Sequence, residues 1–60
     1  MADTQYIPPI YWVQYRYDDG WSRGIEEVYI YAHGKKDAKR HVILNNPNTK
    51  IHFIKVEKYD

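Results

Sequence analysis

Three stretches of this chain alternate hydrophobic and polar residues with a period of two, which is typical of β-strands with one buried face. They span residues 10–17, 25–32 and 50–59. A glycine-containing segment, residues 18–24 (DDGWSRG), separates the first two stretches and predicts a hairpin loop, because glycine readily adopts the positive φ of tight turns. Pro8 and Pro9 precede the first strand and predict an extended N-terminal tail over residues 1–9.

The segment between the second and third strands changes to the spacing of a helix. Gly34 is an acceptable N-cap, and Asp37 three residues later supplies the acidic half of a capping box. A weakly apolar stripe follows the helical period at Ala38, His41, Val42 and Asn45. Pro47 disfavours helical backbone at the residue before it, so Asn45 or Asn46 is expected to close the helix in the left-handed conformation.

The order of these elements, β-β-α-β, predicts an α+β fold with a single domain over residues 10–60. A right-handed crossover through the helix returns the third strand parallel to the second. The first strand carries the most large apolar side chains and therefore fits best at the centre. We expect a three-stranded antiparallel sheet in the order 2-1-3, with the helix on one face.

A single helix can cover only one face of this sheet, so the alternation divides the strand residues into two sets. The set expected beneath the helix packs against Ala38 and Val42 and comprises Val13, Tyr15, Val28, Ile30, Ile54 and Val56, with His52 on the same side. The opposite set, expected on an open face, comprises Trp12, Gln14, Arg16, Glu27, Tyr29, Tyr31, Phe53, Lys55 and Glu57.

The predicted open face has the composition of a protein interface, with aromatic residues at its centre and charged residues at its edges. We expect it to bind a partner through Trp12, Arg16, Tyr29, Tyr31, Phe53 and Lys55. The alternative is that the tyrosines only form cross-strand pairs on an ordinary sheet surface. Trp12 and Phe53 favour the interface, because large apolar rings are costly to leave in water.

The size of the chain also favours a partner. A domain of 60 residues buries only about 60% of its unfolded surface, so its core is small. The chain has no cysteine, which excludes disulfides and thiolate metal sites, and its three histidines lack ligand-like spacing. We therefore expect no metal or other cofactor, and we expect a partner chain instead, either a different protein or a second copy in a homodimer.

The formal net charge of +1 argues against strong general binding to polyanions. The charges are uneven, however, because residues 33–59 carry seven lysines and arginines against only Asp37 and Glu57. The alternative function is therefore a small nucleic-acid-binding protein that uses the open face and the basic helix. Glu27 and Glu57 on the expected open face, and the lack of RNP-like motifs, favour protein over nucleic acid.

A basic turn at the start of the helix is a second candidate site. Lys35 and Lys36 lie in the first turn, where the helix dipole disfavours cations. Together with the first-turn amides they could hold a phosphate or a partner's carboxylate. The candidate anion- or partner-binding residues are His33, Lys35, Lys36, Lys39 and Arg40. The alternative is a solvated charged turn.

No combination of residues points to catalysis. Asp37 and His41 are spaced to meet on one face of the helix, but no nucleophile accompanies them, since Ser22, the only serine, lies in the hairpin loop. The glycines fit no phosphate-binding loop. We therefore expect that the protein is not an enzyme, and that Asp37 is a capping residue beside His41.

The sequence also bears on cellular location. The N-terminus MADTQYIPPI has neither the basic region nor the apolar core of a signal peptide. No apolar run approaches the roughly 20 residues that cross a membrane as a helix. We expect a cytoplasmic protein without a membrane partner.

The pattern YW…EEVYIYA…KDA…P…FIKVEK extends over about fifty residues of the chain. It resembles the small early inhibitors of bacterial RNA polymerase that podoviruses make, which are β-β-α-β proteins. In that family, basic residues of the third strand contact the polymerase. Lys55 falls at one such position, whereas Glu57 falls at another with the opposite charge. The resemblance implies a noncatalytic phage protein that binds and inhibits an enzyme in the host cytoplasm, within the transcription or defence machinery.

Overall fold

The structure is a computed structural model, and it describes residues 7–59. Its elements are β1 (Ile10–Asp18), β2 (Arg23–Tyr31), α1 (Lys35–Asn45) and β3 (Lys50–Lys58). The three strands form one antiparallel sheet in the order β2-β1-β3, so the predicted β-β-α-β fold and strand order are confirmed. Residues 1–6 of the predicted tail lie outside the described part. Within residues 7–9, the Pro9 carbonyl accepts the Ala32 backbone N–H at 3.1 Å.

The hairpin between β1 and β2 is tighter than the sequence indicated, because only residues 19–22 lie outside the strands. The Asp19 backbone N–H donates to the Ser22 carbonyl at 3.1 Å, and Gly20 takes a left-handed φ of 85°. The Asp19 side chain closes the turn by accepting the backbone N–H groups of Trp21 at 2.8 Å and Ser22 at 2.7 Å. These bonds let both strands continue further toward the turn than the alternation alone predicted.

The helix begins after Gly34, as predicted, and no side chain caps that residue. Asp37 accepts the backbone N–H of His33 at 3.0 Å, so this carboxylate binds the residue before the N-cap. At the other end, the Asn46 side-chain amide donates to the Val42 carbonyl at 2.7 Å. The expectation that Asn45 or Asn46 takes the left-handed conformation is wrong. Asn48 does so instead, with φ of 62°, inside the loop that leads to β3.

The hydrophobic core lies between the helix and one face of the sheet. Its buried residues are Tyr11, Val13, Tyr15, Ala32, Ala38 and Val42. The helix contributes only Ala38 and Val42, which are short side chains, so the tyrosine rings of the central strand supply much of the apolar volume. This arrangement leaves the other face of the sheet without a covering element among residues 7–59.

A β-bulge in the pairing of β1 with β3 corrects the predicted faces of the third strand. Gln14 pairs with Lys55 while Tyr15 pairs with Phe53, so Ile54 is the extra residue. A single extra residue reverses the alternation on either side of it. Phe53 therefore lies on the helix side, where its ring packs edge-to-face against Tyr15 at 6.4 Å between centroids. The prediction that Phe53 belongs to the open face is wrong.

The same bulge moves two further residues. Ile54, expected beneath the helix, has 43% of its surface exposed. His52, expected on the same side, pairs with Arg16 and so lies on the open face. Val56 pairs with Val13 and packs against the core as predicted.

Candidate functional site

The sheet face that points away from the helix, called here the open face, is the candidate site. Its members follow from the strand register, because directly paired residues share a face. From β1 it contains Ile10, Trp12, Gln14, Arg16 and Asp18. From the flanking strands it contains Arg23, Ile25, Glu27, Tyr29 and Tyr31, and Lys50, His52, Lys55 and Glu57.

Four aromatic rings and Ile10 gather at one end of the open face, called here the aromatic end: Ile10, Trp12, Tyr29, Tyr31 and Tyr59. The Tyr29 and Tyr59 rings meet edge-to-face with 5.0 Å between centroids. The Tyr59 backbone N–H donates to the Ile10 carbonyl at 2.7 Å, which anchors this residue just beyond β3. Tyr29, Tyr31 and Tyr59 remain 62%, 59% and 65% exposed. Tyr29 and Tyr59 therefore hold each other in place, while most of the surface of all three tyrosines contacts solvent.

Glu27 connects the aromatic end to the polar middle of the open face. Its two carboxylate oxygens accept the indole Nε1–H of Trp12 at 3.4 Å and the side-chain amide of Gln14 at 3.3 Å. On the other flank, the Lys55 ammonium lies 3.7 Å from the Glu57 carboxylate, with both side chains about half exposed. An ion pair this exposed adds little stability.

The other end of the open face, next to the hairpin, is rich in positive charge. Arg16, Arg23, Lys50 and His52 lie there around the single carboxylate of Asp18. A shallow groove of about 340 Å³ runs between Arg16, Tyr17, Asp18, Arg23, Gly24 and Ile25. We call this region the basic end. The sequence alone did not predict the basic end, for two reasons. The bulge changes the face on which His52 lies, and Asp18 and Arg23 fall within the predicted hairpin loop.

Of the six residues expected to bind a partner, five share the open face: Trp12, Arg16, Tyr29, Tyr31 and Lys55. Trp12 pairs directly with Tyr29 and, on its other side, with Glu57. Arg16 belongs to the basic end and is separated from the aromatic rings. The sequence prediction also missed Tyr59, although the alternation of Lys55 and Glu57 continues to it.

The basic turn at the helix start does not form a converging site. Its residues (His33, Lys35, Lys36, Lys39 and Arg40) are exposed, and their side chains have different neighbours. The Lys39 ammonium lies 5.5 Å from the centroid of the Phe53 ring, and Arg40 Nη2 lies 3.6 Å from Asp37. Asp37 already places a carboxylate at this turn, which disfavours a second anion there.

Asp37 is charged over a wide range of pH. The backbone N–H of His33 lowers the pKa of this carboxyl, and the nearby His41 and Arg40 lower it further. His41 Nε2 lies 3.5 Å from the carboxylate, so the predicted contact between these helix neighbours is confirmed. The pair lies at the helix surface, with about half of the His41 side chain exposed, and is consistent with a capping role.

Residues 7–59 contain no group of three or more metal-ligating side chains. Within the same part of the chain, no helix has both the length and the apolar character needed to cross a membrane. Comparisons of the chain with protein-family models, with curated proteins and with solved structures found no match.

Proposed function

We propose that this chain is a noncatalytic interaction protein that binds another protein through the aromatic end of its open face. The observation that carries the proposal is the exposure of three tyrosines around Trp12 in one contiguous cluster. An aromatic patch of this kind is seldom left bare on a monomer. Tyrosine and tryptophan also supply most of the energetic hot spots in protein interfaces.

The geometry of the face supports a protein as the partner. Tyr29 and Tyr59 brace each other, so little side-chain entropy is lost when they are covered. The polar groups around them, which are Glu27, Lys55 and Glu57, form a mixed-charge rim. A partner with a compact apolar patch and polar surroundings would match this arrangement.

The identity of the target rests on sequence alone. The resemblance to podovirus inhibitors suggests a bacterial enzyme whose activity the bound protein modulates, and RNA polymerase is the first target to test. Lys55, the residue that the resemblance singles out, lies on the open face beside Gln14 and two residues from Glu57. The ion pair between Lys55 and Glu57 would have to open for the lysine to contact an acidic partner.

A second candidate function, single-stranded nucleic-acid binding, is favoured by the basic end. Arg16, Arg23 and Lys50 share a face with aromatic rings, and phosphate contacts beside base-stacking rings are how such proteins bind. Glu27 and Glu57 count against it, because both carboxylates lie next to the rings on which bases would stack. Phosphates close to those rings would meet like charge.

The deciding experiment compares open-face variants with a matched control. Trp12→Ala and Tyr31→Ser alter the aromatic end. Trp21→Ser is the control, because it removes the other tryptophan ring, which lies in the hairpin loop. Each tagged variant is tested for binding to purified bacterial RNA polymerase and for proteins retained from bacterial lysate. We expect wild type and Trp21→Ser to retain partner proteins that both open-face variants lose.

Two outcomes would contradict this proposal. Retention of the same partners by Trp12→Ala and Tyr31→Ser would show that the aromatic end is only sheet surface. Micromolar binding of single-stranded RNA or DNA at physiological salt, weakening steeply as salt rises, would favour the second candidate instead.

A further inference from the structure

The hairpin loop presents an exposed tryptophan on a rigid support. Trp21 is 94% exposed, so it contributes almost nothing to the core. Its backbone N–H donates to Asp19, and the Gly20 N–H donates to the side chain of Asp18 at 2.9 Å. The loop is therefore preorganised around two aspartates while its largest ring projects into solvent. We call residues 18–21 the acidic tip.

A second unpartnered surface lies between α1 and the β3 side of the sheet. Its apolar part is formed by Ile43, Leu44 and Phe53, and its cationic part by Lys36, Lys39 and Arg40. The groove has a volume of about 430 Å³. Leu44 is 69% exposed although it lies inside the helix, which shows how much apolar surface remains uncovered. We call this surface the helix groove.

We propose that the acidic tip of one copy of this chain docks in the helix groove of a second copy. The tip offers one large ring beside carboxylates, and the groove offers an apolar floor beside three cations. The ring and carboxylates of the tip thus complement the apolar floor and the cations of the groove. Trp21 does not occupy the groove of its own chain, since it is exposed, and so the contact must be made between molecules.

Among the charges near the two surfaces, that of Asp19 supports this pairing most directly. Backbone N–H groups of Ser22 and Trp21 lower the pKa of Asp19, so its carboxylate stays charged at neutral pH. Asp18 pairs in register with Arg23 and Lys50, which offset part of its charge. Within the groove, Arg40 is partly neutralised by Asp37, whereas Lys36 has no ion pair with a carboxylate of residues 7–59. The main attraction is therefore expected between Asp19 and Lys36 or Lys39.

The symmetry of the contact follows from its geometry. Two copies that exchange tips form an isologous pair, whereas a tip–groove contact made in one direction only is heterologous and gives a ring or a growing chain of copies. Asp18, at the edge of the tip, also lies at the basic end of the open face, whereas the other residues of the tip and all those of the groove lie outside that face. The proposal is thus independent of partner binding at the aromatic end, and each can fail without the other.

Sedimentation and tryptophan fluorescence test the proposal, over protein concentrations from about 10 µM to about 1 mM. In a Trp12→Phe background, Trp21 is the only tryptophan, because the chain has two. Its emission should shift to shorter wavelength and become protected from acrylamide as the species enlarge. Higher salt should weaken the association, since opposite charges contribute to it.

Complementary variants identify the two surfaces. Trp21→Ser disables the tip and Leu44→Asp disables the groove, and both sites are exposed, so circular dichroism should show an unchanged fold. Each variant alone should associate about thirtyfold more weakly than wild type, as expected for loss of a central aromatic contact. A mixture of the two should associate again, because one supplies an intact groove and the other an intact tip. Tyr31→Ser, on the open face, should associate like wild type.

Three results would overturn the proposal. A strict monomer at about 1 mM would exclude the contact. Normal self-association of both Trp21→Ser and Leu44→Asp would place it elsewhere. Loss of self-association in Tyr31→Ser but not in Trp21→Ser would assign it to the open face.

Discussion

Trp12 and Glu27 lie on neighbouring strands of the open face, and the indole Nε1 of Trp12 is 3.4 Å from a carboxylate oxygen of Glu27. The other oxygen accepts the amide of Gln14, so one carboxylate orients two side chains of the central strand. In the proposed binding mode, this contact holds the indole ring in place before a partner arrives, which reduces the entropy lost on binding. It also places a negative charge beside the ring, where a nucleic-acid phosphate would be repelled.

The first prediction separates binding from folding on the central strand. Trp12→Ala and Lys55→Glu should abolish partner binding and leave the fold intact, because neither side chain faces the helix. Val13→Ala should do the reverse, since Val13 is fully buried against Ala38 and Val42. Its loss of two methyl groups should cost about 2 kcal/mol and lower Tm by about 8–16 °C. Thermal denaturation and a binding assay on the three variants check both expectations.

An unfolded Trp12→Ala protein would contradict the assignment of faces on β1. A Trp12→Ala protein that folds and binds its partner normally would remove the aromatic end from the binding site.

The second prediction concerns Phe53, which the β-bulge places beneath the helix. Phe53→Ala should lower the unfolding free energy by about 2 kcal/mol, less than for a fully buried ring, because the side chain is only half-buried. Tyr31→Ala is the control, since that ring is mostly exposed and its loss should be nearly neutral. Urea denaturation of both variants measures the difference. Equal stability of the two would mean that Phe53 does not pack against Tyr15 as described.

The β-bulge also explains which part of the site could be predicted from the sequence. Nine-residue strands β1 and β2 pair without interruption, so the alternation placed Trp12, Tyr29 and Tyr31 on one face correctly. In β3 the residues KIHFIKVEK read equally well as a continuous alternation. The residue types do not mark Ile54 as the extra residue. The bulge lets Phe53 and Val56 both pack against the core, and this tertiary contact is not visible in the local pattern.

The surfaces that the sequence did not indicate depend on contacts distant along the chain. The basic end is assembled from Arg16, Arg23 and Lys50, which belong to three strands. The helix groove needs Phe53 beside Ile43 and Leu44, and thus needs the bulge. The weak apolar stripe of the helix did predict Ala38 and Val42 as its buried residues. Local periodicity was therefore sufficient for the fold and for Trp12, Tyr29 and Tyr31 of the aromatic end, but not for Tyr59 or for these two surfaces.

The third prediction concerns the hairpin at low pH. Hydrogen bonds from the backbone N–H groups of Ser22 and Trp21 lower the pKa of Asp19. Because the folded value is lowered, the carboxylate stabilises the loop above the unfolded value of about 3.9. That contribution is lost as pH falls through the lowered folded pKa. The backbone amide signals of Trp21 and Ser22, followed by NMR, should therefore titrate with a midpoint below about 3.9.

Asp19→Asn is the control for this titration, because it keeps a side-chain acceptor and lacks the ionisable group. In that variant the same two amide signals should stay constant over the acidic range. A midpoint at or above the ordinary value in the wild-type protein would contradict the described hydrogen bonds of Asp19.

The last prediction concerns Asp37, whose carboxylate contacts the backbone N–H of His33 and the side chains of Arg40 and His41. Asp37→Ala should lower Tm even though alanine is the better helix former, so the direction of the change separates lost contacts from helix propensity. The Tm of Asp37→Asn should lie between those of wild type and Asp37→Ala, because its amide oxygen can still accept the His33 N–H although the charge is lost. The pKa of Asp37 is lowered chiefly by that N–H, so the advantage of wild type over Asp37→Asn should shrink as pH falls below about 3.9. Thermal melts of the three proteins at neutral and acidic pH test this order. A more stable Asp37→Ala protein at neutral pH would show that the carboxylate does not hold the start of the helix.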